Sequence, residues 1–416
     1  MTFSQRVQEI KTGFSSTFWI ANTLELFERF AFYGAKAVLV KFIAEKVGLY
    51  DEAGSLAGLF TGLIFLLPAL AGVFVDRYGF KKTLAACFLI FCVGYFMIGL
   101  AGMEYGQQIV SVVGKKTYVI AVLVLTAIGG SLIKPCIVGT VAKTSTPNVK
   151  ALGFSIYYTL VNIGGAIGPI IALTVRQDLG IEYVLVMSSI TSFLLLIGTL
   201  IFFKEPVDVS GEVSEQKTFA KVFRDMVMVF TNLKFMSFLI IFSGFWIMFW
   251  QVYFLLPFYA TDVLHFEKFE ILETVDAWTI IVVTIPITAL VQKWKPFTAM
   301  TVGFVLASLS WVVMGASVTV TAAVIAMAMF AFGEGMQSPR FYEYVSMLAP
   351  AGQTGTFMGF GFLPIAIGSY AAGHVADWLR STYMQTNPSM MWYILAMIGG
   401  VSTVLMIIYD RVAIKR

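Results

Sequence analysis

Charge is what this sequence has least of. Only 12% of its 416 residues are Asp, Glu, Lys or Arg, about half the share a soluble domain needs to solvate its surface. Hydrophobic residues make up 58%. Histidine occurs twice and cysteine three times. Cys87, Cys92 and Cys136 lie in apolar runs without metal-ligand spacing, so they read as buried free thiols. His265 and His374 sit near the ends of apolar runs, which excludes a central histidine proton relay. No H-E-x-x-H and no Ser/His/Asp set stands at membrane depth, which argues against an enzyme. A long polar domain is also missing. The composition therefore describes an integral membrane protein, with no soluble head and no nucleic-acid partner behind its net charge of +4.

What fills the chain is a series of apolar runs long enough to cross a bilayer. They fall near 17–44, 53–75, 83–103, 117–142, 152–175, 183–203, 235–262, 271–292, 296–316, 319–346, 353–379 and 390–410. The expected fold is all-α, with twelve transmembrane helices in two sets of six. The one long polar interruption begins at Lys204, and an amphipathic stretch from Phe219 to Leu233 follows it. This predicts an N-terminal bundle over 1–203, a cytoplasmic linker with an amphipathic helix over 204–234, and a C-terminal bundle over 235–416. Lys and Arg number 17 on the side of the linker, seven on the other and four inside spans. The excess places both termini in the cytoplasm of a cell (inner) membrane protein. Gly54, Gly58 and Gly62, then Gly164 and Gly168, then Gly355 and Gly359, make GxxxG rows that let helix backbones approach.

Several spans carry charge, which costs about 2.5–3.5 kcal/mol per residue at a helix centre. In the first span, Glu25, Glu28, Arg29, Tyr33 and Lys36 fall on one face about 140° wide at 100° per residue. The fourth adds Lys134, and the fifth adds Tyr158 and Asn162, four residues apart. The tenth adds Glu334, Gln337 and Ser338, with Pro339 just beyond. Structural ion pairs are the plainer explanation of such residues, but three acids and three bases exceed what packing requires. Aromatic side chains crowd the seventh span, where Trp246 and Trp250 are candidate pocket walls.

Residues 72–82, GVFVDRYGFKK, resemble the signature loop of the major facilitator superfamily between its second and third helices. There Gly72, Asp76, Arg77, Gly79 and Lys81 would form a conformational latch. Residues 25–34, ELFERFAFYG, resemble the ExxERFxYYG motif on the first helix of the proton-coupled oligopeptide transporter family. FSIYYTLVNIGG (154–165), GGSLIKP (129–135) and GEGMQSP (333–339) resemble that family's segments on helices 5, 4 and 10. The resemblance implies a proton-driven symporter of small zwitterionic or anionic solutes, short peptides first, working by alternating access. It implies proton coupling through Glu25, Glu28 and Arg29. Substrate contacts would come from Arg29, Tyr33, Lys36, Lys134, Tyr158, Asn162, Trp246, Trp250, Glu334 and Ser338. The proton would be the coupling ion, with no other cofactor and no metal. The partners would be the small-molecule substrate and the lipid bilayer, around a monomer. Two departures stand out: Lys36 replaces an Arg, and Trp250 stands where the family has a Glu. Lys36 then lacks its implied counter-charge, which leaves an anionic substrate as the expected partner. An exporter or antiporter of another amphiphilic organic ion, and a non-transporting sensor with the same fold, are the alternative readings.

Overall fold

The computed structural model describes residues 12–209, 218–350 and 353–413. The linker residues 210–217, and the terminal residues whose side of the membrane was expected to be cytoplasmic, lie outside the described residues. The described chain is helical, and an isolated bridge between Phe14 and Ser145 is its one β contact. The helices are α1 (Ser16–Lys41), α2 (Ala53–Leu66), α3 (Pro68–Tyr78), α4 (Phe80–Leu100) and α5 (Glu104–Val113). Then come α6 (Lys115–Lys143), α7 (Lys150–Asp178), α8 (Ile181–Phe202), α9 (Phe219–Thr231) and α10 (Leu233–Phe249). The last five are α11 (Phe269–Val291), α12 (Pro296–Ala316), α13 (Val320–Leu348), α14 (Leu363–Tyr383) and α15 (Pro388–Ala413).

Among the described residues, ten helical segments are long and apolar enough to cross a membrane, and α2 with α3 make an eleventh, bent by 47°. Pro68 opens α3 at that bend, because proline tolerates a first helical turn but not an interior one. Helix α1, read from the sequence as a further span, is 26 residues long; its charged face keeps its mean hydropathy low. The chain is a multi-pass membrane protein. The short amphipathic helix α5 was not anticipated, whereas α9 occupies the amphipathic stretch after the linker.

Two compact units emerge, residues 1–35 with 67–222 (unit 1) and 36–66 with 223–416 (unit 2). The continuous helix α1 thus contributes its first twenty residues to unit 1 and its last turns to unit 2. In unit 1, α4 packs on α6 and α8. There α1 closes on α7 where the latter has no side chains: a Cβ on Gly168 would lie 2.9 Å from the Phe30 carbonyl oxygen, and one on Gly164 would strike Arg29 Cβ. This glycine pair sets the depth at which Arg29 sits.

In unit 2, the glycine row of α2 lies along α14. A Cβ on Gly58 would come 2.7 Å from Ser369 O, and one on Gly54 2.7 Å from Gly373 O. Asp377 of α14 accepts from the Gly54 and Ser55 amides at 2.8 and 2.7 Å, capping α2 as an anion suits a helix N-terminus. Arg380 sits 3.5 Å from Asp377, donates to the Tyr50 carbonyl and lies over the Tyr50 and Phe258 rings at 3.9 and 4.4 Å. At Gly359 nothing lies within 4 Å of an added Cβ. Elsewhere in the unit, α12 and α13 cross at Gly303 and Gly333, each within 2.6 Å of the other's carbonyl oxygen for an added Cβ. The residue after that crossing is Glu334. The seventh span breaks after Trp250 and ends in a π-turn over Tyr259–Val263, an irregularity frequent at functional sites.

Candidate functional site

Each unit holds a buried cluster of charge. In unit 1, Arg29 Nε lies 3.3 Å from Glu25 Oε1 and 2.5 Å from Glu28 Oε2. One guanidinium is thus shared by two carboxylates, an arrangement that the i and i+4 spacing of Glu25 and Arg29 supplies. Both acids are 1% exposed and Arg29 is 6% exposed. Glu25 Oε2 and Glu28 Oε1 have no hydrogen-bond partner, so each acid keeps acceptor capacity inside the bundle. The guanidinium stands 4.8 Å from the Phe32 ring centroid and 6.0 Å from that of Tyr33. Lys134, on α6 just before Pro135, acts electrostatically on Glu25, Glu28 and Arg29. Five of the residues chosen from the sequence, Glu25, Glu28, Arg29, Tyr33 and Lys134, are therefore gathered here.

The α7 contribution differs from expectation. Tyr158 is 45% exposed, and the Asn162 amide donates to its carbonyl at 2.8 Å, a bond along their own helix. Tyr157, also on α7, interacts electrostatically with Arg29. It is the neighbour in the same Tyr-Tyr pair, and helical phase alone could not choose between them without knowing which face met α1.

In unit 2, the Lys36 ammonium sits 3.7 Å from the Trp250 ring centroid and 3.6 Å from that of Tyr253. Trp250 thus turns a flat face to the ammonium, a contact of cation–π character, and Tyr253 turns a second one. Trp246 is half-buried and packs edge-on against Phe249. Lys36 has acids around it besides the anionic substrate expected as its partner. Glu273 and Asp276 of α11, and Glu334 of α13, all feel its charge. Glu273 and Asp276 were overlooked because they stand in the first turns of an apolar run and read as its polar edge. Ser338 is half-buried one turn beyond Glu334. Arg340 has a tie elsewhere, donating to the Val291 carbonyl at the end of α11 at 2.5 Å and pairing with Glu343 at 2.6 Å.

The loop after α3 is held by a residue that the motif does not contain. Gly79 has φ +84° and ψ 167°, a region open essentially to glycine. The turn presents the first amides of α4 to Glu205, which accepts from Phe80 N at 2.6 Å and Lys81 N at 3.0 Å. Lys81 Nζ donates to the Leu200 carbonyl, and Arg77 lies over Tyr78. Gly72 and Asp76 lie on α3, which leads into this turn. Among the described residues, no group of His, Cys, Asp and Glu has the geometry to hold a metal ion.

Comparison with known proteins agrees with this architecture. The family model described as Major Facilitator Superfamily matches residues 19–373. A dipeptide and tripeptide permease B of Photorhabdus asymbiotica is 30% identical over 163 residues, 37% of this chain and 31% of that protein. A peptide transporter family 1 protein of Drosophila melanogaster is 29% identical over 170 residues, 39% of this chain and 22% of that one. The matched stretch thus spans about a third or less of these relatives' length. A POT family transporter crystallised with 5-aminolevulinic acid superposes with a TM-score of 0.78 at 16% identity, covering 95% of this chain and 96% of the other. A peptide transporter POT in complex with sulfate gives 0.77 at 17%, covering 96% and 94%.

Proposed function

Because the chain belongs to the major facilitator superfamily, we propose that it is a proton-coupled symporter of small zwitterionic or anionic solutes, short peptides first, working by alternating access. The observation that carries this reading is the single guanidinium of Arg29 held between Glu25 and Glu28. A proton taken by one carboxylate removes its claim on Arg29 and leaves the guanidinium available to an anionic group of the solute. When the proton leaves, the carboxylate reclaims Arg29 and the solute's anion loses its partner. Binding of proton and solute are thereby linked through one side chain. Printed names of similar proteins, dipeptide and tripeptide permeases among them, support peptides as the first solutes to test.

A zwitterion fits the chemistry of the two clusters taken one at a time. Unit 1 offers a guanidinium to a carboxylate, and unit 2 holds more acids than bases, which suits an ammonium. The proton is the coupling ion, and no other cofactor is invoked. The protein works as a monomer in a cell (inner) membrane, with both termini cytoplasmic by the distribution of Lys and Arg.

The test is uptake of dialanine into proteoliposomes. Glu28→Gln abolishes accumulation driven by a proton gradient and spares counterflow exchange. Accumulation by this variant under a proton gradient alone contradicts the assignment.

A further inference from the structure

We propose that Glu273 and Asp276 on α11 form a second proton-exchange site, within unit 2, with Lys36 as their movable counter-charge. Three residues apart, the two acids lie on adjoining parts of one α11 face. Glu273 is 1% exposed and Asp276 8% exposed. Neither oxygen of Glu273, nor Oδ1 of Asp276, has a hydrogen-bond partner. A buried carboxylate left ionised without donors or a cation is strongly disfavoured, so these groups need something positive to hold.

The surroundings offer one base for several acids. Lys36 approaches from α1 and acts on Glu273, Asp276 and Glu334. Glu334 comes from α13 and lies in the negative field of Asp276, as Glu273 lies in that of the buried Glu270 of α11. The seventh span contributes Tyr253, whose ring is under the Lys36 ammonium. Arg340 and Glu343 of α13 are occupied with each other and with the far end of α11. A metal ion does not fit the balance, since no described group has ligand geometry. Protons do fit it: each taken from solution onto a carboxylate oxygen removes one negative charge, and each returned restores it.

Lys36 makes the exchange a switch. With the acids protonated, its ammonium rests on the Trp250 and Tyr253 rings, a seat of cation–π character that needs no carboxylate. With a proton gone, the ionised acid attracts the ammonium away from the rings. The use of this step in transport rests on the proton-coupled reading above, but protonation itself is measurable without any solute.

The experiment uses the full chain in lipid nanodiscs without solute. Infrared difference spectra between acidic and alkaline buffer report the carboxylic-acid carbonyl stretch. Tryptophan emission, compared with Trp250→Phe, reports the Lys36 seat. We expect a component of the carbonyl band and a pH-dependent Trp250 emission that Glu273→Gln/Asp276→Asn removes and Glu28→Gln keeps, Glu28 contributing a component of its own. Should the double variant not fold, Glu273→Gln and Asp276→Asn singly must each lose part of the band. An undiminished band and emission in the double variant, or in both single ones, overturn the proposal. Accumulation of dialanine by Glu28→Gln would instead defeat the unit 1 assignment and leave this site standing.

Discussion

Replacing Arg29 with Gln leaves Glu25 and Glu28, each 1% exposed, without the guanidinium between them. Its contacts of 2.5 and 3.3 Å correspond to gross attractions of about 7 and 5 kcal/mol at an effective dielectric near 20. Desolvation offsets most of that, and removal of one partner of a buried pair typically costs about 3–5 kcal/mol. The expected loss for Arg29→Gln is therefore about 4 kcal/mol by the same precedent. Glu28→Gln/Arg29→Gln removes the closer acid as well and leaves one lone carboxylate in place of two. The double variant should thus be more stable than Arg29→Gln alone, with a coupling energy of about 2 kcal/mol, inside the range for residues in contact. Equilibrium unfolding in mixed detergent micelles titrated with SDS gives all four corners of the cycle. Additive losses, within about 0.5 kcal/mol, would mean that the three charges do not act as one unit, and the linkage of proton and solute through Arg29 would fail with them.

Two further substitutions test the packing that positions the sites. Gly58→Leu drives a side chain into the Ser369 backbone across the α2–α14 crossing and should cost about 1–3 kcal/mol, whereas Gly359→Ala, at helical φ −62° with open space around it, should be neutral or stabilise by about 0.4–1 kcal/mol; the same unfolding titration compares them. Glu205→Ala removes the acceptor for the first α4 amides and should cost about 1 kcal/mol, as loss of a helix cap does. It should also speed hydrogen exchange at Phe80 and Lys81, and unchanged exchange there would contradict the capping role.

Most of this architecture is legible in the sequence, because bilayer thickness fixes span length and a helix fixes angular phase. The long apolar spans, the amphipathic helix α9 and the shared face of Glu25, Glu28, Arg29 and Tyr33 follow from those two constraints alone. What does not follow is which helix a face meets. Phase places Tyr157 and Tyr158 100° apart, and only the approach of α1 to Gly164 and Gly168 selects Tyr157. The motif around Gly79 names a latch but not its partner, since Glu205 is more than a hundred residues away and reaches the amides through a polar stretch with no pattern of its own. Likewise the acid expected opposite Lys36 was sought on the seventh span, where Trp250 stands. A compensating charge needs only to occupy the same space, not the same helix. Glu273 and Asp276 bring negative charge to the neighbourhood of Lys36 from α11.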